Sequence, residues 1–170
     1  MKKIFSALAF ILLIAVIATS CGLTVPRPEI KEGRFQYSVT YELNGEVKTI
    51  SGVYVCEYAG TSWALDSGSH RDWSGYIEGG TDDDWVILGT TEDGGEIILS
   101  LNFNPDYFMG EDVVGVMGVP EPYLQVKYDF ADGEGMSFVN EADEIAESYG
   151  AKILSFDYDE PIKNSFGLLK

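Results

Sequence analysis

Carboxylates are the reactive groups this chain holds in quantity, with 28 Asp and Glu against 11 Lys and Arg. The densest run, Asp82-Asp83-Asp84, follows Gly79-Gly80 and offers the hard oxygen donors that Ca²⁺ prefers. The spaced aspartates, central glycine and closing glutamate of a calcium loop are missing there, so a solvated loop before a strand is the competing reading. Asp129, Asp132 and Glu134, around Gly133 and Gly135, form a second such group. Asp157, Asp159 and Glu160 alternate near the end of a strand-like stretch, as on an exposed face. Two carboxyls set across a sugar bond make a glycosidase. With this many acids, however, chance pairs are expected.

His70 is the sole histidine. Zinc sites built on two or more histidines are thereby excluded, and Cys56 alone cannot replace the missing ligands. Ser69-His70-Arg71-Asp72 contains the residue types of a catalytic triad, but neighbours in sequence do not converge as nucleophile, base and orienting acid must. Ser62 or Ser67 can meet His70 only through the fold. The sequence carries no G-x-S-x-G, no phosphate loop and no dinucleotide fingerprint, and no cofactor is expected. Aromatics give the sharper signal. Trp63, Trp73, Tyr76 and Trp85 lie in and around a Gly-rich polar region, where flat side chains on a β surface can stack on a sugar or on a partner's apolar anchor. Against this stands the ordinary burial of tryptophan in a core.

The N-terminus bears on location. Met1-Lys2-Lys3 is followed by an apolar run from Ile4 to Ile17, shorter than the roughly 20 residues a spanning helix needs. A basic start, a short apolar stretch and then small residues is the layout of a secretory signal peptide. Ala18-Thr19-Ser20 stands directly before Cys21, which resembles the lipobox of bacterial lipoproteins, with Ala18 where leucine is usual. The resemblance implies a diacylglyceryl thioether on Cys21, cleavage before it, and anchoring at the outer face of the cell membrane; two acyl chains suffice for stable attachment. Residues 1–20 are then the signal, residues 21–33 the lipidated cysteine and a spacer stiffened by Pro26 and Pro28, and residues 34–170 one globular domain. Fully extended, such a spacer reaches about 40 Å.

Loss of Lys2 and Lys3 takes the formal charge from −17 to −19, because residues 1–20 hold no acid. So acidic a domain is repelled by nucleic acid and by anionic head groups, and neither is an expected partner beyond the lipid itself. With Cys21 acylated, Cys56 has no disulfide partner, and in Val53-Tyr54-Val55-Cys56-Glu57-Tyr58 it reads as a buried, inert thiol.

The elements that must position these residues are mostly strands. Phe35, Tyr37, Val39, Tyr41 and Leu43 alternate with polar residues at the period of a half-buried strand. Asn44-Gly45 follows, suited to a type I′ turn, and Glu46 to Tyr58 returns. Trp63-Ala64-Leu65 and Trp73 to Ile77 read as short strands, and Trp85 to Leu88 with Glu96 to Phe103 as a second hairpin. Asn104-Pro105-Asp106 predicts a capped helical turn to Met109. Tyr123 to Phe130 is a further strand. Asn140 caps a helix with Glu141, Asp143 and Glu144 at its positive end, Ala142, Ile145, Ala146 and Tyr149 on one face, and Gly150 closing it; Ile153 to Tyr158 is the strand after it. The fold class is therefore mainly β, with α+β as the variant. An antiparallel sandwich or partly open barrel is built from hairpins, and one helix from the C-terminal region packs on it.

Tyr41-Glu42-Leu43-Asn44-Gly45-Glu46, Val55-Cys56-Glu57-Tyr58, Tyr107-Phe108-Met109-Gly110, Tyr149-Gly150 and Pro161-Ile162-Lys163-Asn164-Ser165-Phe166 together form a pattern. It resembles a group of small exported and lipoprotein-like proteins of Gram-positive (Firmicutes) bacteria, over about Arg34 to Phe166 and least in Trp63–Asp84. The resemblance implies a cell-surface setting and carries no catalytic or binding residue. The expected function is a membrane-tethered domain that binds or scaffolds a protein or carbohydrate partner without catalysis. The alternatives are a small hydrolase of envelope carbohydrate working through paired carboxylates, and a cation-binding module.

Overall fold

The computed structural model describes residues 25–65, 68–80, 85–111, 118–129 and 136–166. Strand β1 (Glu32–Leu43) buries every second side chain, Phe35, Tyr37, Val39, Tyr41 and Leu43, as its alternation requires. Asn44 and Gly45 turn the chain at φ 53° and 80°, both in the left-handed region that a type I′ turn demands. Strand β2 (Glu46–Ala64) then pairs back along β1 from Leu43↔Glu46 to Glu32↔Glu57.

β2 does not stop at Tyr58. It runs on to Ala64 and pairs with β3 (Gly68–Ile77), so the two short strands expected around Trp63 and Trp73 are the ends of one long hairpin. A bulge between Tyr58 and Gly60 hides this in the sequence, because one extra residue breaks the period of two. Gly60 takes φ 125° there, a value costly for any residue with a Cβ.

Strands β4 (Trp85–Thr90) and β5 (Glu96–Ser100) form the second expected hairpin. Helix α1 (Pro105–Phe108) begins as read: the Asn104 side chain accepts from the Asp106 N–H at 2.9 Å, and proline occupies the first turn. Strand β6 (Tyr123–Asp129) pairs with β5 and with a short strand, β7 (Met136–Val139), that the sequence did not announce. Helix α2 (Ala142–Tyr149) ends at Gly150, in the left-handed conformation. Its N-cap is Glu141, whose side chain makes no capping bond, and not Asn140. Strand β8 (Ala151–Tyr158) follows at once.

The fold is mainly β: two four-stranded antiparallel sheets, ordered β3-β2-β1-β8 and β4-β5-β6-β7. One core joins them. β1 and β2 supply Phe35, Val39, Tyr54 and Cys56, β5 and β6 supply Ile97, Leu99 and Val126, and the connection from β5 to β6 adds Phe103, Phe108 and Met109. α2 packs on β6 and β8 and buries Ile145 completely. The aromatic rings interlock: Phe103 lies 4.5 Å from Tyr54 and 5.0 Å from Tyr37, centre to centre.

The two ends of the described chain are fastened together. Pro28 bridges Phe166, the Glu29 N–H donates to the Ser165 carbonyl at 3.0 Å, and the Asn164 side-chain amide bonds both ways with the Ile30 backbone, at 3.1 and 2.8 Å. Residues 26–31, read from sequence as part of a spacer, thus lie against the domain.

Candidate functional site

The site is built on the far end of the long hairpin. β1 accompanies β2 only as far as Glu57, so beyond it β2 and β3 continue alone as a two-stranded arm. Cross-strand register fixes what each face of the arm carries. One face, continuous with the core side of the sheet, holds Trp63 opposite Ser69, then Arg71 opposite Thr61, then Trp73 opposite Tyr58. The other holds His70 opposite Ser62, with Asp72 two residues on.

A cleft of about 490 Å³ runs along the arm, lined by Ser69 to Trp73 from β3, by Asp106 and Glu111 from α1 and the chain after it, and by Val25. Five consecutive residues can line one cleft because β3 is the edge strand of its sheet, so side chains of both faces are reached from its free side.

Arg71 organises the wall. Its Nε and Nη2 donate to the two carboxylate oxygens of Glu111, and its Nη1 donates to the Pro26 carbonyl at 3.1 Å. The Phe166 ring covers its guanidinium at 3.8 Å. The Trp73 indole N–H adds a bond to Glu111 at 2.9 Å. Burial on its own would raise the Glu111 carboxyl, but the bonds from Arg71 and Trp73 outweigh it and hold the group below its ordinary value. Asp106 behaves oppositely. Burial, reinforced by the charges of Glu111 and Asp72, pushes its carboxyl up.

Ser62, which needed the fold to reach His70, does so: its Oγ lies 2.8 Å from His70 Nε2 and donates to Asp72 Oδ1 at 2.8 Å. This is not a triad. Asp72 sits 3.5 Å from the same ring nitrogen that meets the serine, whereas an orienting acid must hold the other one. That other nitrogen, Nδ1, lies 3.3 Å from the Gly68 carbonyl, and the cluster is exposed.

The four aromatics singled out from sequence do not share a surface. Trp63 stands on the arm with 60 % of its surface exposed, while Trp73 is half-buried below it and edge-on to Tyr58 at 5.4 Å. Tyr76 lies on the outer face of the first sheet, in register with Val55, and donates to Glu57 at 3.4 Å. Trp85 lies on the outer face of the second sheet, where Ile87, Tyr123 and Phe138 are also exposed. Cys56 is fully buried in the core, with its thiol pushed up to about 12 by burial and the nearby Asp106 charge. Cys21, Asp82, Asp83, Asp84, Asp132 and Glu134 lie outside the described residues. Among the described residues no three metal-ligating side chains gather, and no helix is long and apolar enough to cross a membrane. No protein-family model matches the chain, and neither curated proteins nor solved structures yield a significant match.

Proposed function

We propose that the protein is an exported lipoprotein, anchored through Cys21, whose domain binds a cell-surface ligand with the β2–β3 arm and the cleft beside it, without catalysis. The observation that carries this reading is Trp63. A large apolar ring stands mostly in solvent on the arm face that also bears the cleft residues Ser69 and Trp73. An exposed aromatic beside a concave polar site is the arrangement that stacks on a sugar ring or receives a partner's anchor.

The test is co-sedimentation of the purified protein with Gram-positive cell-wall sacculi, wild type against Trp63→Ala. Binding weakened at least about tenfold by the substitution supports the arm, since removing one stacking aromatic is worth about 1–3 kcal/mol at a hot spot. Unchanged binding removes the arm from the ligand site. Anchoring is tested separately by mass spectrometry of the membrane-bound protein, where retention of residues 1–20 refutes lipidation at Cys21.

One observation favours a second reading. Asp106 lines the cleft with its carboxyl pushed up by burial and neighbouring charge, the condition for a general acid, and Asp72 lines the same cleft. Release of reducing sugar from the same sacculi, absent in Asp106→Asn, would establish that hydrolase; no release by the wild type retires it.

A further inference from the structure

The charge of the cleft can be settled residue by residue. Arg71 is the only Lys or Arg among the lining residues, and it is largely committed: its Nε–Nη2 edge meets Glu111, Nη1 meets Pro26, and Phe166 covers one face. Three of its five N–H donors are taken and its charge is matched by Glu111, so it has little left to offer an anion. Glu111 is spent in turn on Arg71 and Trp73. What remains available is the hydroxyl of Ser69 and two carboxylates, since the His70 imidazole is engaged by Ser62 and the Gly68 carbonyl. Asp72 accepts from Ser62 through one oxygen, and the Asp106 carboxylate has its own backbone N–H beside it and no bond from another side chain among the described residues.

A carboxylate drawn partly out of water beside other negative charge costs stability unless a cation meets it. The lining supplies no Lys or Arg free to meet them, only the His70 imidazole 3.5 Å from Asp72, so a ligand that carries a full positive charge gains most from entering. We propose that the cleft takes a primary alkylammonium group of the ligand, held by Asp106 and Asp72, with Trp73 and Val25 against the carbon skeleton beside the nitrogen. The inference rests on the binding function above and assigns the ligand's charge. A bare metal ion fits less well: no three ligating side chains gather among the described residues, and the apolar surface of Trp73 and Val25 offers an ion nothing. The cleft volume of about 490 Å³ is that of a small organic group's site. Phosphate-bearing and other anionic ligands are disfavoured by the same balance.

Matched probes of single charge test this without the avidity that a polycation would show toward so acidic a protein. One pair is methyl glucosaminide and its N-acetyl form; the other is Nα-acetyl-lysine methylamide and its Nε-acetyl form. Each is titrated into the isotope-labelled mature protein and followed by amide and indole NMR shifts at pH 7. The expected result is that the free amine of at least one pair binds at least about tenfold more tightly than its acetylated partner and moves the His70 and Trp73 signals, since charge-assisted hydrogen bonds are roughly twice as strong as neutral ones. In Asp106→Asn or Asp72→Asn that preference should fall to within about twofold. Glu141→Gln, an equal charge loss on the cap of α2, should leave it intact. The pair that responds tells whether the amine belongs to an amino sugar or a lysine. Equal binding of free and acetylated probes in the cleft overturns the charge assignment while leaving the binding function, which the Trp63→Ala sedimentation decides on its own. Absence of binding by all four probes, or an equal loss in Glu141→Gln, also overturns it.

Discussion

Replacing Arg71 by Met keeps the aliphatic stem and deletes the guanidinium, which leaves Glu111 as a charge with only the Trp73 N–H for company. The two side chains are 14 % and 16 % exposed, so the pair is mostly but not wholly withdrawn from water. Breaking a fully buried pair by removing one partner costs about 3–5 kcal/mol. Residual hydration of Glu111 places this case near the lower end, at about 3 kcal/mol, with the Phe166 stacking contributing a further ~0.5–1 kcal/mol. Glu111→Gln is milder, about 1–2 kcal/mol, because the amide oxygen still accepts from Trp73 and Arg71 keeps Pro26 and Phe166. Urea denaturation at pH 7 gives both values, and the melting midpoint of Arg71→Met should drop by about 11 °C at roughly 3 °C per kcal/mol. Acid then separates electrostatics from packing. A carboxyl held below its ordinary value stabilises the fold above the unfolded pKa, and that stabilisation is lost as pH falls through the lower folded value. In Arg71→Met the lowering partner is gone and burial pushes Glu111 up, so protonation relieves the variant before the wild type suffers. The gap between the two must therefore shrink on acidification. A gap that stays constant from neutral pH down through the carboxylate range, or a Glu111→Gln cost equal to that of Arg71→Met, would refute the clamp.

Asp106→Asn should stabilise the protein at pH 7. Its folded pKa is raised, so the wild type loses stability as pH rises from the ordinary carboxylate value to the folded one and carries that cost at neutrality; the variant's advantage should vanish in acid. Gly75→Ala should cost about 2–3 kcal/mol in urea melts, because a Cβ there falls 1.8 Å from Tyr54 Oη and 2.4 Å from its Cζ, and the Tyr54 ring is pinned by Phe103 and Phe108. Wild-type stability would show that the ring has room to move. The Cys56 thiol, fully buried and pushed up to about 12, should react with an aromatic disulfide at pH 8 no faster than the domain unfolds; a fast labelling phase would contradict its place in the core.

The regular part of the fold was legible because its physics is local. Alternation from Phe35 to Leu43, Asn44-Gly45 and Asn104-Pro105 each encode one strand, one turn and one cap within a few residues, and each is found where the sequence put it. Legibility failed where a local rule is broken or where a partner supplies the reason. The bulge at Gly60 shifts the phase of β2, so Ala59 to Ser62 reads as loop although it is strand. β7 has four residues, too few to show a period, and exists because β6 offers an edge. Asn140 is a better cap than Glu141 by side-chain chemistry, yet the helix starts one residue later. The site shows the same division. Trp63 and Trp73 were picked out by type, and the register alone placed them on one face of the arm. The Arg71–Glu111 pair is 40 residues apart in sequence, beyond any motif. A hint existed: Arg71 is the only Lys or Arg between Lys48 and Lys127, and a lone cation among so many acids has a strong reason to be paired.

Fastening residues 26–31 to the domain changes what a lipid on Cys21 would mean. A free spacer through Gly33 would let the domain stand about 40 Å from the membrane and turn at will. With Pro26 held by Arg71, and Val25 on the cleft wall, only the few residues after Cys21 remain as tether. At about 3.3–3.6 Å per residue, four residues reach no more than about 14 Å. On the proposed anchoring, then, the cleft opens close to the head groups, on the side of the domain nearest the lipid. Arg71 serves both ends of this arrangement, since the side chain that fixes the tether also neutralises Glu111 and leaves Asp72 and Asp106 as the cleft's open charges.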